Sequence, residues 1–141
     1  MTLAHFLIDT SALVRLLRGE HTRGAWEQQV TAGLVAVCPV VELEFLYAAR
    51  AKADRDELVE LLRTAFGRVA MPDRVFDRAS QIQAALTVRG MHRSAGAVDL
   101  LIAATAEEHG LVLLHYDRDS EQVGEVTGQQ TQWLAAPGSL S

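Results

Sequence analysis

Apolar residues follow two patterns along this chain: short continuous runs and longer segments with helical spacing. The runs at 4–8, 34–38 and 111–114 are predominantly apolar, as expected of strands that are covered on both faces of a parallel sheet. Shorter strands are predicted near 69–71 and 131–134. Leu13, Leu16 and Leu17 instead recur at helical spacing, and segments of this kind alternate with the strands. This alternation predicts an α/β protein.

Capping residues and glycines set the limits of the predicted helices. Thr10 or Ser11 is expected to cap the first helix, which ends at Gly19. Asp54, with Glu57 three residues later, is typical of a capping box that starts a new helix. The predicted helices lie near 11–18, 22–32, 39–53, 54–66, 73–90, 97–109 and 119–126. Gly67 is expected to end the helix at 54–66. The helix at 73–90 is expected to turn one apolar face inward, formed by Val75, Ala79, Ile82 and Leu86.

The length of 141 residues suits one domain with one core, and no Pro-rich or Gly/Ser-rich linker divides the chain. A hydrophobic content of 49% is typical of a compact globule. The apolar runs are too short to cross a bilayer. The single cysteine, Cys38, excludes an intrachain disulfide and indicates a cytoplasmic protein. We therefore expect a three-layer α/β/α domain with a mainly parallel central sheet.

The net charge of −5 argues against bulk attraction to nucleic acid. That argument weakens if several carboxylates converge on metal ions, because the ions neutralise part of the charge. A local basic rim could then still hold phosphate groups. The net charge therefore lowers the expectation of a nucleic-acid substrate without excluding one.

Two acids follow predicted strands. Asp9 comes directly after the first strand, and Asp117 comes shortly after the strand at 111–114. If those strands lie side by side, both carboxylates face the crevice at the carboxyl ends of the strands, where open α/β sheets bind ligands. Taken singly, Asp9 could be only a helix cap, and Asp117 with Asp119 could only shape a turn.

Further acids lie within or beside apolar segments. Asp99 begins a helix whose next residues are apolar, and its alternative role is to complement the helix dipole. Glu42 and Glu44 both lie in the apolar run 40–46 and cannot share a helical face, so spacing alone does not choose between them. Carboxylates in apolar surroundings are costly unless something neutralises them, and a hard divalent cation is the best candidate.

Four segments together resemble a PIN domain, and more narrowly the VapC-type toxin ribonucleases of prokaryotic toxin-antitoxin pairs. They are DTSALV at 9–14, VELEFL at 41–46, VDLLIAA at 98–104 and LHYDRD at 114–119. The resemblance covers essentially the whole chain in the family's order. We therefore expect residues 1–136 to form a single PIN-like domain, and residues 137–141 to form a flexible C-terminal tail.

The resemblance also implies which acids form the site. They are Asp9, Glu44, Asp99 and Asp117, with Asp119 as an auxiliary acid. The family's helical acid matches Glu44, which favours it over Glu42. One departure from the family is Ser120, which stands where an aromatic or other apolar residue often follows the last acid.

Carboxylate oxygens are the ligands that Mg²⁺ and Mn²⁺ prefer. We expect Asp9 and Asp99 to be the principal metal ligands, and Glu44 and Asp117 to hold a second ion or coordinated water, with Asp119 nearby. Two neighbouring hydroxyl groups are expected to orient these acids by hydrogen bonds. They belong to Thr10 and Ser11.

The implied activity is that of a metal-dependent endoribonuclease, which hydrolyses an RNA phosphodiester and leaves a 5′ phosphate and a 3′ hydroxyl. Arg89, Arg93 and Arg118 lie close in sequence to the acids and are candidates for holding RNA phosphates, although such arginines are more often ordinary surface residues. Trp26 and Trp133 could stack on a base, but burial is the better interpretation.

The resemblance implies two protein partners. A membrane is not expected as a partner, because the apolar runs are too short to cross a bilayer. A VapB-type antitoxin is expected to lie in an apolar groove, and the chain is expected to form a homodimer. Leucines at helical spacing could supply the groove, with core packing as the alternative. They are Leu13, Leu16, Leu17, Leu58, Leu61 and Leu62.

Two other functions compete with a nuclease. A receiver-type phosphoacceptor domain also gathers acids around Mg²⁺, but it needs a lysine near its last strand, and the only lysine here is Lys52. A noncatalytic binding or regulatory module on a PIN scaffold is the other alternative. The presence of acids at all four expected positions argues against it.

Overall fold

The structure is a computed structural model that describes residues 3–141. Its helices are α1 (Thr10–Arg18), α2 (Glu20–Thr31), α3 (Pro39–Leu46), α4 (Lys52–Ala65), α5 (Arg74–Val88), α6 (Ala97–Glu108) and α7 (Arg118–Thr127). Its strands are β1 (Phe6–Ile8), β2 (Val35–Val37), β3 (Gly67–Arg68), β4 (Val112–His115) and β5 (Thr131–Trp133). Among the helices of this part of the chain, none is both long and apolar enough to cross a membrane.

The strands form one parallel sheet in the order β3-β2-β1-β4-β5. The central strand β1 is buried, with Phe6 opposite Val35 of β2 and Ile8 opposite Leu114 of β4. The chain builds the sheet first on one side of β1 and later on the other. The strand order therefore reverses at the carboxyl ends of β1 and β4, which is the place where open α/β sheets bind ligands. The predicted α/β/α fold with a mainly parallel sheet is confirmed.

Two predicted boundaries around α4 are wrong. Helix α3 ends at Leu46 rather than near 53, and α4 begins at Lys52 rather than at Asp54. Asp54 lies in the first turn of α4, where its carboxylate accepts a hydrogen bond from the backbone amide of Arg50 at 2.9 Å. The acid therefore stabilises the start of the helix from inside the first turn, close to unpaired amides.

The strand predicted at 69–71 lies earlier in the chain. Strand β3 consists of Gly67 and Arg68, and the amide of Val69 continues the pairing by donating to the Val37 carbonyl at 3.0 Å. Gly67 was expected to end the preceding helix, but Phe66 ends it with an extended backbone. The side chain of Phe66 is buried in the core, which favours leaving the helix one residue early.

The core surrounds the sheet on both faces and includes the inward positions predicted for the long helix α5. Its Val75, Ala79, Ile82 and Leu86 are all buried. At the C-terminus, the amide of Leu140 donates to the Tyr116 hydroxyl at 2.7 Å. The flexibility expected of residues 137–141 stays a prediction. Residues 1 and 2 of the predicted domain lie outside the described residues.

Gly124 of α7 tests how tightly this helix packs against β5. A Cβ at Gly124 would lie 2.8 Å from Cγ2 of Thr131 and 3.1 Å from the carbonyl oxygen of Gln129. We expect Gly124→Ala to lower the free energy of unfolding by about 1–3 kcal/mol, because overpacking outweighs the better helix propensity of alanine.

The matched control is Gly24→Ala in α2, where nothing lies within 4 Å of the added Cβ. That substitution is expected to raise the free energy of unfolding by about 0.5–1 kcal/mol. Urea denaturation of the three proteins measures both effects. Equal effects of the two substitutions would contradict the packing argument.

Candidate active site

Asp9 lies at the junction between the central strand and the first helix. Its backbone amide donates to the carbonyl of Leu114 at 2.9 Å, which extends the pairing of β1 with β4 by one residue. The Asp9 side chain is 5% exposed, and its Oδ1 accepts the amide of Ala12 at 2.9 Å as the N-cap of α1. Burial raises the pKa of this carboxyl despite these hydrogen bonds.

The prediction that Thr10 or Ser11 caps α1 is wrong, because both residues lie inside its first turn. The Ser11 hydroxyl donates to Oδ1 of Asp9 at 2.7 Å and accepts the amide of Tyr116 at 3.0 Å. The Thr10 hydroxyl donates to Oε1 of Glu44 at 2.5 Å. Each hydroxyl therefore contacts one of the acids, and Ser11 also links α1 to the segment that follows β4.

The two glutamates of α3 point in different directions. Glu42 accepts a hydrogen bond from Nε of Arg68 at 2.6 Å and forms an ion pair there. Glu44 is exposed and contacts Thr10, the neighbour of Asp9. The structure thus places Glu44, and not Glu42, beside the other acids.

Asp99 lies in the first turn of α6, where its Oδ2 accepts the amide of Gly96 at 3.3 Å. Burial raises the pKa of Asp99, and the negative charges of Asp117, Glu44 and Asp119 raise it further. A charge influences a pKa in this way only from nearby. The structure therefore brings acids from α3, α6 and the start of α7 into one electrostatic cluster. Asp9 is its fifth member, because the charge of Asp99 also raises the pKa of Asp9.

Asp117 is the N-cap of α7, and its Oδ1 accepts the amide of Asp119 at 3.0 Å. The turn-forming role that the sequence allowed for Asp117 is therefore real. This capping hydrogen bond uses Oδ1 of Asp117, and Oδ2 takes no part in it. Burial, together with the charge of Asp117, raises the pKa of Asp119.

In the described part of the chain, no lysine or arginine balances the charge of this cluster by forming an ion pair with it. Within residues 3–141, the ion pairs between basic and acidic side chains involve other acids than the five of the cluster. In the same part of the chain, no three His, Cys, Asp or Glu side chains are arranged closely enough to hold a metal ion as they stand. The fit to a hard divalent cation therefore rests on donor chemistry and unbalanced charge, and not on a preformed coordination sphere.

Two residues near the cluster have contacts that the sequence did not indicate. Ser120 is buried, and its hydroxyl donates to Oδ2 of Asp9 at 3.4 Å. His115 is fully buried, and its Nδ1 accepts the amide of Asp117 at 3.1 Å. Because Nδ1 accepts, Nε2 carries the proton and donates to Oε1 of Glu121 at 2.8 Å. Two weak features of the sequence could have indicated these contacts. His115 is a polar residue at the end of a buried strand, and Ser120 stands where the family often has an apolar residue.

The three candidate arginines are all exposed. Arg89 follows α5, Arg93 lies in the turn before α6, and Arg118 is the first residue of α7. In residues 3–141, none of the three guanidinium groups forms an ion pair with an acid. They are therefore available to phosphate groups, and a contact with RNA stays a prediction.

The fold and the site together define a class of protein: an α/β/α fold with an unbalanced acidic cluster at the carboxyl edge of a parallel sheet. The family model described as PIN domain matches residues 6–126. The chain belongs to the PIN-domain family.

Curated relatives and solved structures agree with this assignment. The chain is 41% identical to Ribonuclease VapC21 of Mycobacterium tuberculosis, over 95% of this chain and 96% of that protein. It is 38% identical to Ribonuclease VapC18 of the same organism, over 96% of this chain and 98% of that protein. A crystal structure of DNA-bound VapBC from Salmonella typhimurium has a TM-score of 0.77 at 20% identity, covering 94% of this chain and 100% of that chain.

Asp9→Asn should not destabilise the metal-free protein. Asparagine caps helices as well as aspartate does, and its oxygen can still accept from Ser11 and Ala12. Because the folded-state pKa of Asp9 is raised, the wild type loses stability as the pH rises from the ordinary value near 4 through the folded-state pKa. Thermal melts in EDTA from pH 4 to pH 7 should therefore show a Tm advantage for the variant that grows with pH.

Asp9→Ala is the control for the cap, and it should lose about 1 kcal/mol of stability. A Tm for Asp9→Asn that falls well below the wild type at pH 7 would contradict this account, because it would mean that the charge of Asp9 stabilises the fold.

Proposed function

We propose that this protein is the toxin component of a type II toxin-antitoxin system and acts as a metal-dependent endoribonuclease. The observation that carries the proposal is the unbalanced acidic cluster of a PIN domain. In this cluster, the charges of Glu44, Asp117 and Asp119 add to burial in raising the pKa of Asp99. Relatives 41% and 38% identical bear the name ribonuclease and align over nearly their whole length. A cytoplasmic location fits an enzyme that acts on cellular RNA.

Mg²⁺, or Mn²⁺ in its place, is the cofactor we assign to the cluster. Asp9 and Asp99 are the principal ligands, and Glu44 and Asp117 hold a second ion or coordinated water, with Asp119 in support. When bound, the cation neutralises charge on the phosphate and activates the attacking water. The predicted products are a 5′ phosphate and a 3′ hydroxyl.

The protein's own contribution is to fix the acids in place. The Ser11 hydroxyl and the Ala12 amide donate to Oδ1 of Asp9, whereas Oδ2 accepts the longer hydrogen bond of Ser120 at 3.4 Å. Thr10 holds one oxygen of Glu44. A hydrogen bond to one carboxylate oxygen orients the other, which is how groups around a metal site usually set its ligands. No serine, cysteine or histidine nucleophile is needed for this reaction.

Removing single acids tests the nuclease. Asp9→Asn, Glu44→Gln and Asp99→Asn should each reduce Mg²⁺-dependent cleavage of total cellular RNA by a factor of about 100 or more, beyond the loss typical of residues outside the ligand set. Sequencing of RNA ends measures cleavage and identifies the sites.

The matched control is Glu42→Gln, since Glu42 lies two residues from Glu44 but pairs with Arg68. It should leave cleavage near the wild-type level. Equal cleavage by wild type and all variants would overturn the assigned site. A wild type that cleaves no RNA with Mg²⁺ or Mn²⁺ would overturn the enzyme and favour a noncatalytic binding module.

An apolar groove between α1, α2 and α4 is the site we assign to a VapB-type antitoxin. It has a volume of about 460 Å³. Its apolar lining residues are Leu16, Leu17, Val30, Leu61, Ala65 and Phe66. Charged side chains on α2, among them Glu20, Arg23 and Glu27, line it as well. Two of the leucines expected in a groove, Leu13 and Leu62, are instead buried in the core.

Leu61→Glu tests the groove, because Leu61 is 37% exposed and can be changed without disturbing the core. A charge there should weaken binding of the cognate antitoxin by at least about tenfold, because an apolar partner would strip the carboxylate of its water without pairing it. Isothermal titration measures the affinity. Leu16 is unsuitable for this test, since it is 2% exposed and a charge there would disrupt the core.

The control is Val88→Glu on α5, an exposed apolar residue outside the groove. It should leave the antitoxin affinity unchanged. Unchanged affinity in a folded Leu61→Glu protein would remove the groove from the proposal. The homodimer implied by the family resemblance also stays a prediction, which sedimentation of the purified chain can check.

A further inference from the structure

A second concavity lies directly beside the acidic cluster. It has a volume of about 460 Å³, within the usual size range of small-molecule sites. Its lining residues are Thr10, Val40, Leu43, Glu44, Tyr47 and Val98. Two of them are sequence neighbours of the predicted principal ligands: Thr10 follows Asp9, and Val98 precedes Asp99. Glu44 is itself a member of the acidic cluster, and it accepts the hydrogen bond of Thr10, so the concavity borders the site where the scissile phosphate would bind.

One face of α3 supplies most of this surface. Val40, Leu43, Glu44 and Tyr47 are spaced i, i+3, i+4 and i+7, so their side chains project from the same side of the helix. A predicted metal-binding acid and an aromatic ring thus stand one turn apart on one face. With a cation bound at the acids, such an arrangement would place a phosphate next to a planar group that stacks on the ring.

The apolar part of this surface is open to solvent. Tyr47 is 84% exposed and Leu43 is 66% exposed. The two tryptophans that the sequence offered for base stacking have their rings packed against other residues of the protein. Trp26 is buried and donates its indole N–H to the Leu134 carbonyl at 2.9 Å, and Trp133 packs against His115.

We propose that this concavity is a nucleobase subsite, in which a base of single-stranded RNA next to the scissile phosphate stacks on the ring of Tyr47. The inference rests on the proposed ribonuclease function and assigns part of its substrate binding. Stacking on aromatic side chains is the usual way in which unpaired RNA bases are held. It also suits an acidic surface, because a base carries no charge for the carboxylates to repel.

The position of Glu44 favours RNA over a second copy of this chain as the occupant. Glu44 lines the concavity between Leu43 and Tyr47 on the helix face. A partner subunit packed on Leu43 and Tyr47 would therefore cover Glu44 and close the acidic cluster to its substrate. A flexible single strand can occupy the concavity while its phosphate remains at the acids.

Binding of a labelled RNA tests the subsite without relying on cleavage. The probes are single-stranded RNA 12-mers that carry 2-aminopurine at one position each, and the protein is an Asp99→Asn chain in Mg²⁺, so that the RNA stays intact. The fluorescence of 2-aminopurine is quenched when it stacks. We expect quenching at one position, a loss of that quenching in Tyr47→Ala, and a weakening of affinity by about 5- to 150-fold. Tyr47→Phe, which keeps the ring, should behave like the parent.

The matched control is Phe76→Ala, which removes an exposed aromatic ring of α5 that does not line the concavity. It should change neither quenching nor affinity. Because Tyr47 is mostly exposed, its variants should keep the parent's thermal melt. Unchanged RNA binding by Tyr47→Ala would overturn the subsite. The subsite would also be overturned if the variant kept the quenching but lost a dimer seen for the parent on sedimentation, because Tyr47 would then contact a second copy of the chain.

The failure of the subsite can be separated from the failure of the proposed function. If wild type cleaves RNA in Mg²⁺ and only the Tyr47 prediction fails, the nuclease stands and the subsite falls. If wild type neither cleaves nor binds any RNA, both are overturned together.

Discussion

The parallel pairing of β1 with β4 is the constraint on which the acidic site depends. Ile8 lies opposite Leu114, and the amide of Asp9 donates to the Leu114 carbonyl at 2.9 Å. A slip of one residue would turn the buried side chains to the opposite face and separate Ser11 from the amide of Tyr116. Because both strands are buried, core packing fixes this register. The same packing that stabilises the fold therefore places the acids.

Asp9 combines two roles that the sequence presents as alternatives. As the N-cap of α1 it accepts the Ala12 amide, and the Ser11 hydroxyl donates to the same oxygen. These bonds offset part of the cost of burying a carboxylate, yet burial still raises its pKa. Among residues 3–141, the other oxygen, Oδ2, has a single side-chain hydrogen bond, the 3.4 Å contact with Ser120. Capping thus satisfies one oxygen and leaves the other for a ligand.

The sequence predicted most strongly what hydrophobic spacing controls. The buried strands and the inward face of α5 follow from it. The meeting of Asp9 and Asp117 at one edge was conditional on the adjacency of β1 and β4, which the structure supplies. Helix boundaries were less predictable, because several nearby residues can serve as the cap. At the start of α4, Asp54 is a plausible cap in the sequence but lies inside the first turn in the structure. Spacing could not separate Glu42 from Glu44, because the choice depends on Arg68, a residue brought near by the fold. The contacts of His115 and Ser120 likewise depend on tertiary placement.

The charge of the site makes substrate binding conditional. With 18 acids and 13 lysines and arginines, the chain attracts RNA only through local features. Several arginines are already paired with acids outside the cluster, as in Arg68 with Glu42 and Arg78 with Glu107. Under the proposed function, the acids repel a phosphate until a cation neutralises them. Binding of cation and RNA is then reciprocally linked, so that each raises the affinity for the other. Under that function, the negative charge that raises the pKa values of Asp9 and Asp99 in the metal-free fold would also couple the binding of the two ligands.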